Sequence, residues 1–126
     1  MNYRILIVDD SPLLRATARR AVLQAGVDAS QIREAPNGQE ALDALRTQSA
    51  DLVLLDINMP IMDGFQFVEE KAKDPALADV KVALVTTEGN QKRLARMTEL
   101  GVEHYLRKPF EPEELRSLVA NLFGDS

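Results

Sequence analysis

The chain has 126 residues, 45% hydrophobic and 28% charged, the makeup of one globular domain around one core. Its net charge of −5 argues against non-specific nucleic-acid binding through a basic face. With no cysteine and a single histidine, His104, disulfides, thiol chemistry and multi-histidine or cysteine-bound metals are excluded, so any metal is held by oxygen and is a hard cation such as Mg²⁺.

Met1 to Arg4 shows no signal-peptide layout, and no apolar run approaches membrane-spanning length, so a cytoplasmic protein is expected. Ile5-Leu6-Ile7-Val8 reads as a buried strand running into Asp9-Asp10. Ser11 is a natural N-cap and Pro12 fits the first helical position. Leu14, Ala18, Ala21, Val22 and Ala25 then recur at helical spacing until Gly26. Ile32 to Ala35 forms a short strand. Asn37-Gly38 turns into a second helix with Ala41, Leu42 and Leu45 inward.

Leu52-Val53-Leu54-Leu55 is apolar without alternation, the habit of a central strand in a parallel sheet, and it runs into Asp56. Gly64 begins a third helix, with Phe65, Val68 and Ala72 spaced to face the core. Phe65 and Phe67 cannot both point inward, and the spacing favours Phe65. Lys73-Asp74-Pro75 breaks this helix. Val82 to Val85 is a fourth strand, ending at Thr86-Thr87. A fourth helix runs from about Gln91 to Leu100, with Leu94, Met97 and Leu100 on one side and Lys92, Arg93 and Arg96 elsewhere. His104-Tyr105-Leu106 lies in the fifth strand, which leads to Lys108-Pro109-Phe110. Pro112 starts the last helix, with Leu115, Leu118, Val119 and Leu122 as its apolar face.

Five strands alternating with five helices predict a doubly wound α/β domain over residues 1–126, a parallel sheet between two helical layers. In such a sheet every strand's carboxyl end lies on one edge, where ligands bind. Asp9, Asp10, Asp56, Thr86 and Lys108 all follow strand ends and can converge there. Clustered carboxylates repel, at about 4 kcal/mol for a pair 4 Å apart near a protein surface, unless a cation or proton joins them. Oxygen ligands suit Mg²⁺, Lys108 adds a point charge and Thr86 a hydroxyl. Together they describe a site that stabilises a phosphoryl group in transit. No Ser/His/Asp arrangement and no glycine-rich phosphate loop is present, so the expected nucleophile is a carboxylate, best Asp56 on the central strand.

Asp9-Asp10, Asp56, Met59-Pro60, Asp63-Gly64, Thr86 and Lys108-Pro109-Phe110 together resemble the receiver domain of two-component response regulators, across essentially the whole chain. Among receivers the chain is most similar to the stand-alone CheY-like type. The resemblance implies a (βα)5 flavodoxin-like three-layer sandwich with strand order 2-1-3-4-5. It implies that Asp56 accepts a phosphoryl group from a histidine kinase. It further implies Mg²⁺ on Asp10, Asp56 and the Asn58 backbone carbonyl, with Asp9 acting through water. Lys108 and Thr86 would contact the phosphoryl oxygens, and the bond before Pro109 would be cis. Thr86 and Tyr105 would form a switch that changes a protein-binding face of the fourth helix, fifth strand and fifth helix. Asn58 and Glu88 would tune self-dephosphorylation toward a short-lived mark. Turnover is limited to the protein's own phosphorylation and dephosphorylation. The expected output is chemotaxis-type, on a flagellar motor switch or another protein target, by a monomer or a phosphorylation-linked dimer, without nucleic-acid or membrane contact.

Plainer readings stand beside these. Asp9 and Asp10 would cap a helix, Lys108 would be solvated, Tyr105 would be an ordinary strand tyrosine, and Lys92, Arg93 and Arg96 an ordinary solvated face rather than a site for an acidic partner. His104 reads as structural, and Thr87 has no assigned role. The competing functions are a phosphorelay shuttle, a receiver cut from a longer transcriptional regulator, a receiver that is never phosphorylated, and a Mg²⁺-dependent aspartyl-phosphate phosphohydrolase of the haloacid-dehalogenase kind. The last places an aspartate two residues after the nucleophile, where this chain has Asn58.

Overall fold

A computed structural model describes residues 3–87 and 89–122. The strands are β1 (Ile5–Val8), β2 (Ile32–Ala35), β3 (Leu52–Leu55), β4 (Lys81–Thr86) and β5 (His104–Arg107). The helices are α1 (Pro12–Gln24), α2 (Gly38–Thr47), α3 (Gly64–Ala72), α4 (Gln91–Glu99) and α5 (Pro112–Leu122). All strand pairs are parallel, and the order across the sheet is β2-β1-β3-β4-β5. This is the doubly wound flavodoxin-like fold, as expected.

Side chains alternate along each strand, so the two sheet faces build two separate cores. Leu6, Val8, Val53, Leu55, Val82 and Leu84 face α2, α3 and α4. Ile5, Ile7, Leu52, Leu54, Ala83 and Val85 face α1 and α5. Both faces are therefore apolar, which is why β1 and β3 read as uninterrupted hydrophobic runs.

The helix starts are local chemistry. Ser11, Asn37, Asp63 and Asn90 each accept a hydrogen bond from a backbone N–H of the first turn. Asp63 and Gln66 complete a reciprocal capping box. Gly26 and Gly101 sit at φ +97°, closing the ends of α1 and α4 where a side chain would be strained.

The inward face of α3 differs from the expectation. Phe67 is fully buried beside Val68, Phe65 is only half-buried and Ala72 is exposed. Counting from Phe65 rotated the stripe, because Phe65 lies in the first turn, where it meets α4 instead. There the Arg93 guanidinium stacks over its ring at 4.7 Å from the centroid. Leu14 of α1 likewise stays partly exposed, while Ala18, Ala21 and Val22 fill the interior. Leu94 and Leu100 pack at the core's margin around the buried Met97.

Candidate functional site

The order β2-β1-β3 means the chain reverses direction across the sheet between β1 and β3, and a crevice opens there beyond the strand ends. Val8 pairs with Leu55, so the residues that follow, Asp9 and Asp56, lie side by side. The Asp56 amide donates to the Val8 carbonyl (2.9 Å), carrying the pairing one step further. Carboxylate oxygens of Asp9, Asp10 and Asp56 lie within 4.8 Å of one another. Asp9 and Asp56 are buried and Asp10 is exposed, so the cluster is open on the Asp10 side.

Lys108 comes from the end of β5, two strands beyond β3. Its Nζ lies 2.6 Å from Asp9 Oδ2 and 3.7 Å from Asp56 Oδ1. Its amide donates to the Thr86 carbonyl (2.9 Å), which ties the lysine to the end of β4. The Lys108–Pro109 peptide bond is cis. Thr86 is buried at the same edge, whereas Thr87 is exposed. Four of the expected residues, Asp9, Asp10, Asp56 and Lys108, therefore share one cluster.

Three carboxylates face one ammonium, which leaves an excess of negative charge. Burial pushes the Asp56 carboxyl above its ordinary range, and the charges of Asp9 and Asp10 push the same way. Lys108 and the Ile57 amide, which donates to Asp56 Oδ1 at 2.9 Å, pull it back without cancelling the rise. A converging all-oxygen donor set with uncompensated charge fits a small hard dication. Asp10, Asp56 and Asp9 are the side chains that would hold it.

The structure adds residues that the pattern alone left unassigned. Asp9 Oδ1 accepts the Ser11 amide (2.9 Å), and Arg15 Nη1 donates to the Asp9 carbonyl (2.6 Å). Ser11 thus caps α1 with its hydroxyl and braces Asp9 with its backbone. Nothing in the one-dimensional pattern marked Arg15, because its target is a backbone atom six residues earlier.

Gly64 is the clearest omission. The sequence places it at a helix start and in the Asp63-Gly64 pair of the resemblance, with no packing role. A Cβ there would lie 2.7 Å from the Asp56 carbonyl oxygen and 2.8 Å from the Ile57 Cα. The glycine lets α3 close against the backbone that carries Asp56, and its amide donates to the Ile57 carbonyl (2.8 Å). Gly64→Ala is expected to cost about 1–3 kcal/mol, as overpacking does, and to slow any reaction at Asp56. Urea unfolding and a rate measurement on the same preparation check both effects.

The remaining candidates lie away from the cluster or outside the description. Asn58 is exposed at the start of the loop after β3. Glu88 lies outside the described residues. Tyr105 points outward from β5, its hydroxyl 2.6 Å from Thr98 Oγ1 and donating toward the Val102 carbonyl at 3.1 Å, so it rests on the carboxyl end of α4. His104 is half-buried at the opposite edge of the sheet. Arg96 pairs with Glu69 of α3 and Glu99 of α4, so the basic face of α4 is partly neutralised.

Residues 5–120 match the family model for the response regulator receiver domain. The chain is 30% identical over 122 residues to the chemotaxis protein CheY homolog of Campylobacter jejuni, covering 96% of this chain and 92% of that one. It is 34% identical over 122 residues to a protein of Porphyra purpurea named "Probable transcriptional regulator ycf29". This chain spans only 57% of that relative's length, and 54% of its counterpart in Pyropia yezoensis. Among solved structures, chemotaxis protein CheY4 of Vibrio cholerae superposes with a TM-score of 0.86 at 28% identity, covering 97% of this chain and 99% of that one.

Proposed function

The chain belongs to the response regulator receiver family, and on that premise we propose that Asp56 is its phosphoacceptor, charged by a histidine kinase with Mg²⁺ present. The convergence of Asp9, Asp10, Asp56 and Lys108 at the β1/β3 crevice carries this reading. An Asp56 carboxylate oxygen attacks phosphorus, the bond from phosphorus to the histidine nitrogen breaks, and an acyl phosphate results. A bound metal would neutralise charge on the phosphoryl oxygens, and Asp10, Asp56, the Asn58 carbonyl and, through water, Asp9 are the groups that would hold it.

Lys108 is already anchored by Asp9 and lies 3.7 Å from Asp56 Oδ1, so its ammonium is at hand to stabilise charge on the phosphoryl group that Asp56 receives. Thr86 supplies a hydroxyl to the same group. Thr86 and Tyr105 relay the change to α4, β5 and α5, which hold the protein-binding face. Asn58 and Glu88 set how fast the mark is lost. Catalysis stays confined to this cycle.

The output is proposed to be chemotaxis-type, on a cytoplasmic protein target, from the similarity to CheY proteins along nearly their full length. Among the described residues no helix is long and apolar enough to cross a membrane. A second reading, a receiver that works within a longer transcriptional regulator, is favoured by the relatives that this chain spans by about half.

The test is incubation with phosphoramidate, with and without Mg²⁺, followed by intact mass. One hydrolysable, metal-dependent phosphoryl group is expected. Lys108→Ala should slow its appearance about 100-fold, the loss typical of one charge-stabilising donor. No modification of the wild type would remove the phosphoacceptor reading, and sustained turnover of the donor would replace it with a phosphohydrolase.

A further inference from the structure

A cavity of about 410 Å³ opens at the sheet edge opposite the acidic cluster. It lies between the carboxyl ends of α3 and α4, beside the starts of β4 and β5. The two helices are tied together over their first two turns, where Arg93 stacks on Phe65 and Arg96 pairs with Glu69 at 3.6 Å. At their ends the cavity separates them. Small residues leave the space open. Ala72, at core-facing spacing in the sequence, lines it and is exposed, and a Cβ built on Gly101 would meet nothing within 4 Å. The floor is apolar: Val68, Val80, Val82 and Val102 are all buried there. A concave apolar space of this volume with a few polar groups at its mouth is the usual form of a small-ligand site.

The ionisable residues that border the cavity are Lys71, Asp79, Lys81, Glu103 and His104. Lys81 is in register with Leu52 and His104 with Ala83, and both partners belong to the core under α1 and α5. The side chains of Lys81 and His104 therefore point to the other face of the sheet. Lys81 Nζ donates to the Leu122 carbonyl there, at 3.3 Å. Lys71, Asp79 and Glu103 remain. Lys71 is half-buried, and among the described residues no carboxylate lies within ion-pair distance of its ammonium. Burial pushes its pKa down, and the attraction of Asp79 restores it only in part. Lys71 and Asp79 thus share one cavity and attract each other without closing together.

These charges select the occupant. A half-buried ammonium without a paired counter-charge costs free energy that an incoming carboxylate recovers. A ligand with a carboxylate alone meets Asp79 and Glu103 as like charges, and one with an amine alone meets Lys71. A ligand that carries both on an apolar body satisfies all three. We propose that this cavity binds a free α-amino acid with a large apolar side chain, its carboxylate on Lys71, its ammonium toward Asp79 and Glu103, and its side chain on the valine floor. None of these residues belongs to the acidic cluster, so the site stands or falls apart from the phosphoacceptor reading of Asp56.

The test is an NMR titration of the isotope-labelled chain with L-phenylalanine, beside 3-phenylpropanoate, which lacks the amine, and phenethylamine, which lacks the carboxylate. L-Phenylalanine should bind with a Kd on the order of 1 mM or tighter, as expected for a ligand of about a dozen heavy atoms. It should shift the amides of Val68, Val80 and Val102. Each truncated ligand should bind about tenfold more weakly, the loss of one charge-assisted contact. Lys71→Met should weaken L-phenylalanine by a similar factor. Ala72→Leu leaves every charge in place and fills the space, and should abolish binding. Both variants should melt as cooperatively as the wild type. No saturable shift with L-phenylalanine would overturn the proposal, as would shifts centred on Asp9 and Asp56. Equal binding of either truncated ligand, or unchanged binding in Ala72→Leu, would overturn it as well.

Discussion

Asp56→Asn is expected to abolish phosphorylation and to raise the melting temperature of the metal-free protein. The first effect follows from chemistry. An amide oxygen does not form a stable bond to phosphorus, and the neighbouring Asp9 is held by Lys108 and the Ser11 amide. The second follows from the charge balance. Asp56 is buried beside Asp9 and Asp10, and its carboxyl is held above the ordinary range. An acid raised on folding binds its proton more tightly in the folded state. Its contribution to stability is therefore present at low pH and is lost as pH rises from the usual carboxylate range through the raised value. At neutral pH the ionised carboxylate costs stability.

Asparagine keeps the shape and an oxygen for the Ile57 amide while removing that charge. A gain of about 1–2 kcal/mol, or roughly 3–6 °C for a domain of this size, is expected. It should shrink at acidic pH. Adding Mg²⁺ should stabilise the wild type more than the variant, because a ligand stabilises only the state that binds it. Thermal scans at two pH values, with and without Mg²⁺, measure all of this. A lower melting temperature for the variant at neutral pH would show that the attraction of Lys108 outweighs burial and repulsion.

Phe67→Ala should be among the most destabilising single changes, at about 3–5 kcal/mol, because it empties a fully buried aromatic position. It packs with Val68 against the face of the sheet built by Leu6, Val53 and Leu55. Phe65→Ala should cost only on the order of 1 kcal/mol, from a half-buried ring and one exposed cation–π contact. Urea unfolding of both variants gives the comparison. Equal losses would mean that α3 presents a different face to the sheet.

The phenylalanines mark one limit of reading the chain alone. Positions two apart on a helix are far apart around its axis, so one of them had to face outward. Which one depended on where α3 began and on what stood opposite. The partner that made Phe65 useful at the margin, Arg93, lies on α4 and is invisible to the periodicity of α3. The same holds for Gly64. Helix-start chemistry explains Asp63 and Gln66, but the need for glycine arises from the close approach of the Asp56 backbone, a contact between elements.

What the amino-acid order determined by itself was the element sequence and the chemistry available at each strand end. Unbroken apolar runs can be buried only in a sheet covered on both faces, and alternation with helices makes that sheet parallel. A parallel sheet in turn puts Asp9, Asp10, Asp56, Thr86 and Lys108 on one edge. Only the tertiary structure decided how these residues meet. Pairing of β1 with β3 sets Asp9 beside Asp56, and the tie from Lys108 to Thr86 brings the ammonium across two strands. The bracing by Arg15 and the pressure on Gly64 belong to the same level. Each depends on how the chain folds back on itself beyond a strand end, which packing sets and hydrophobic periodicity does not encode.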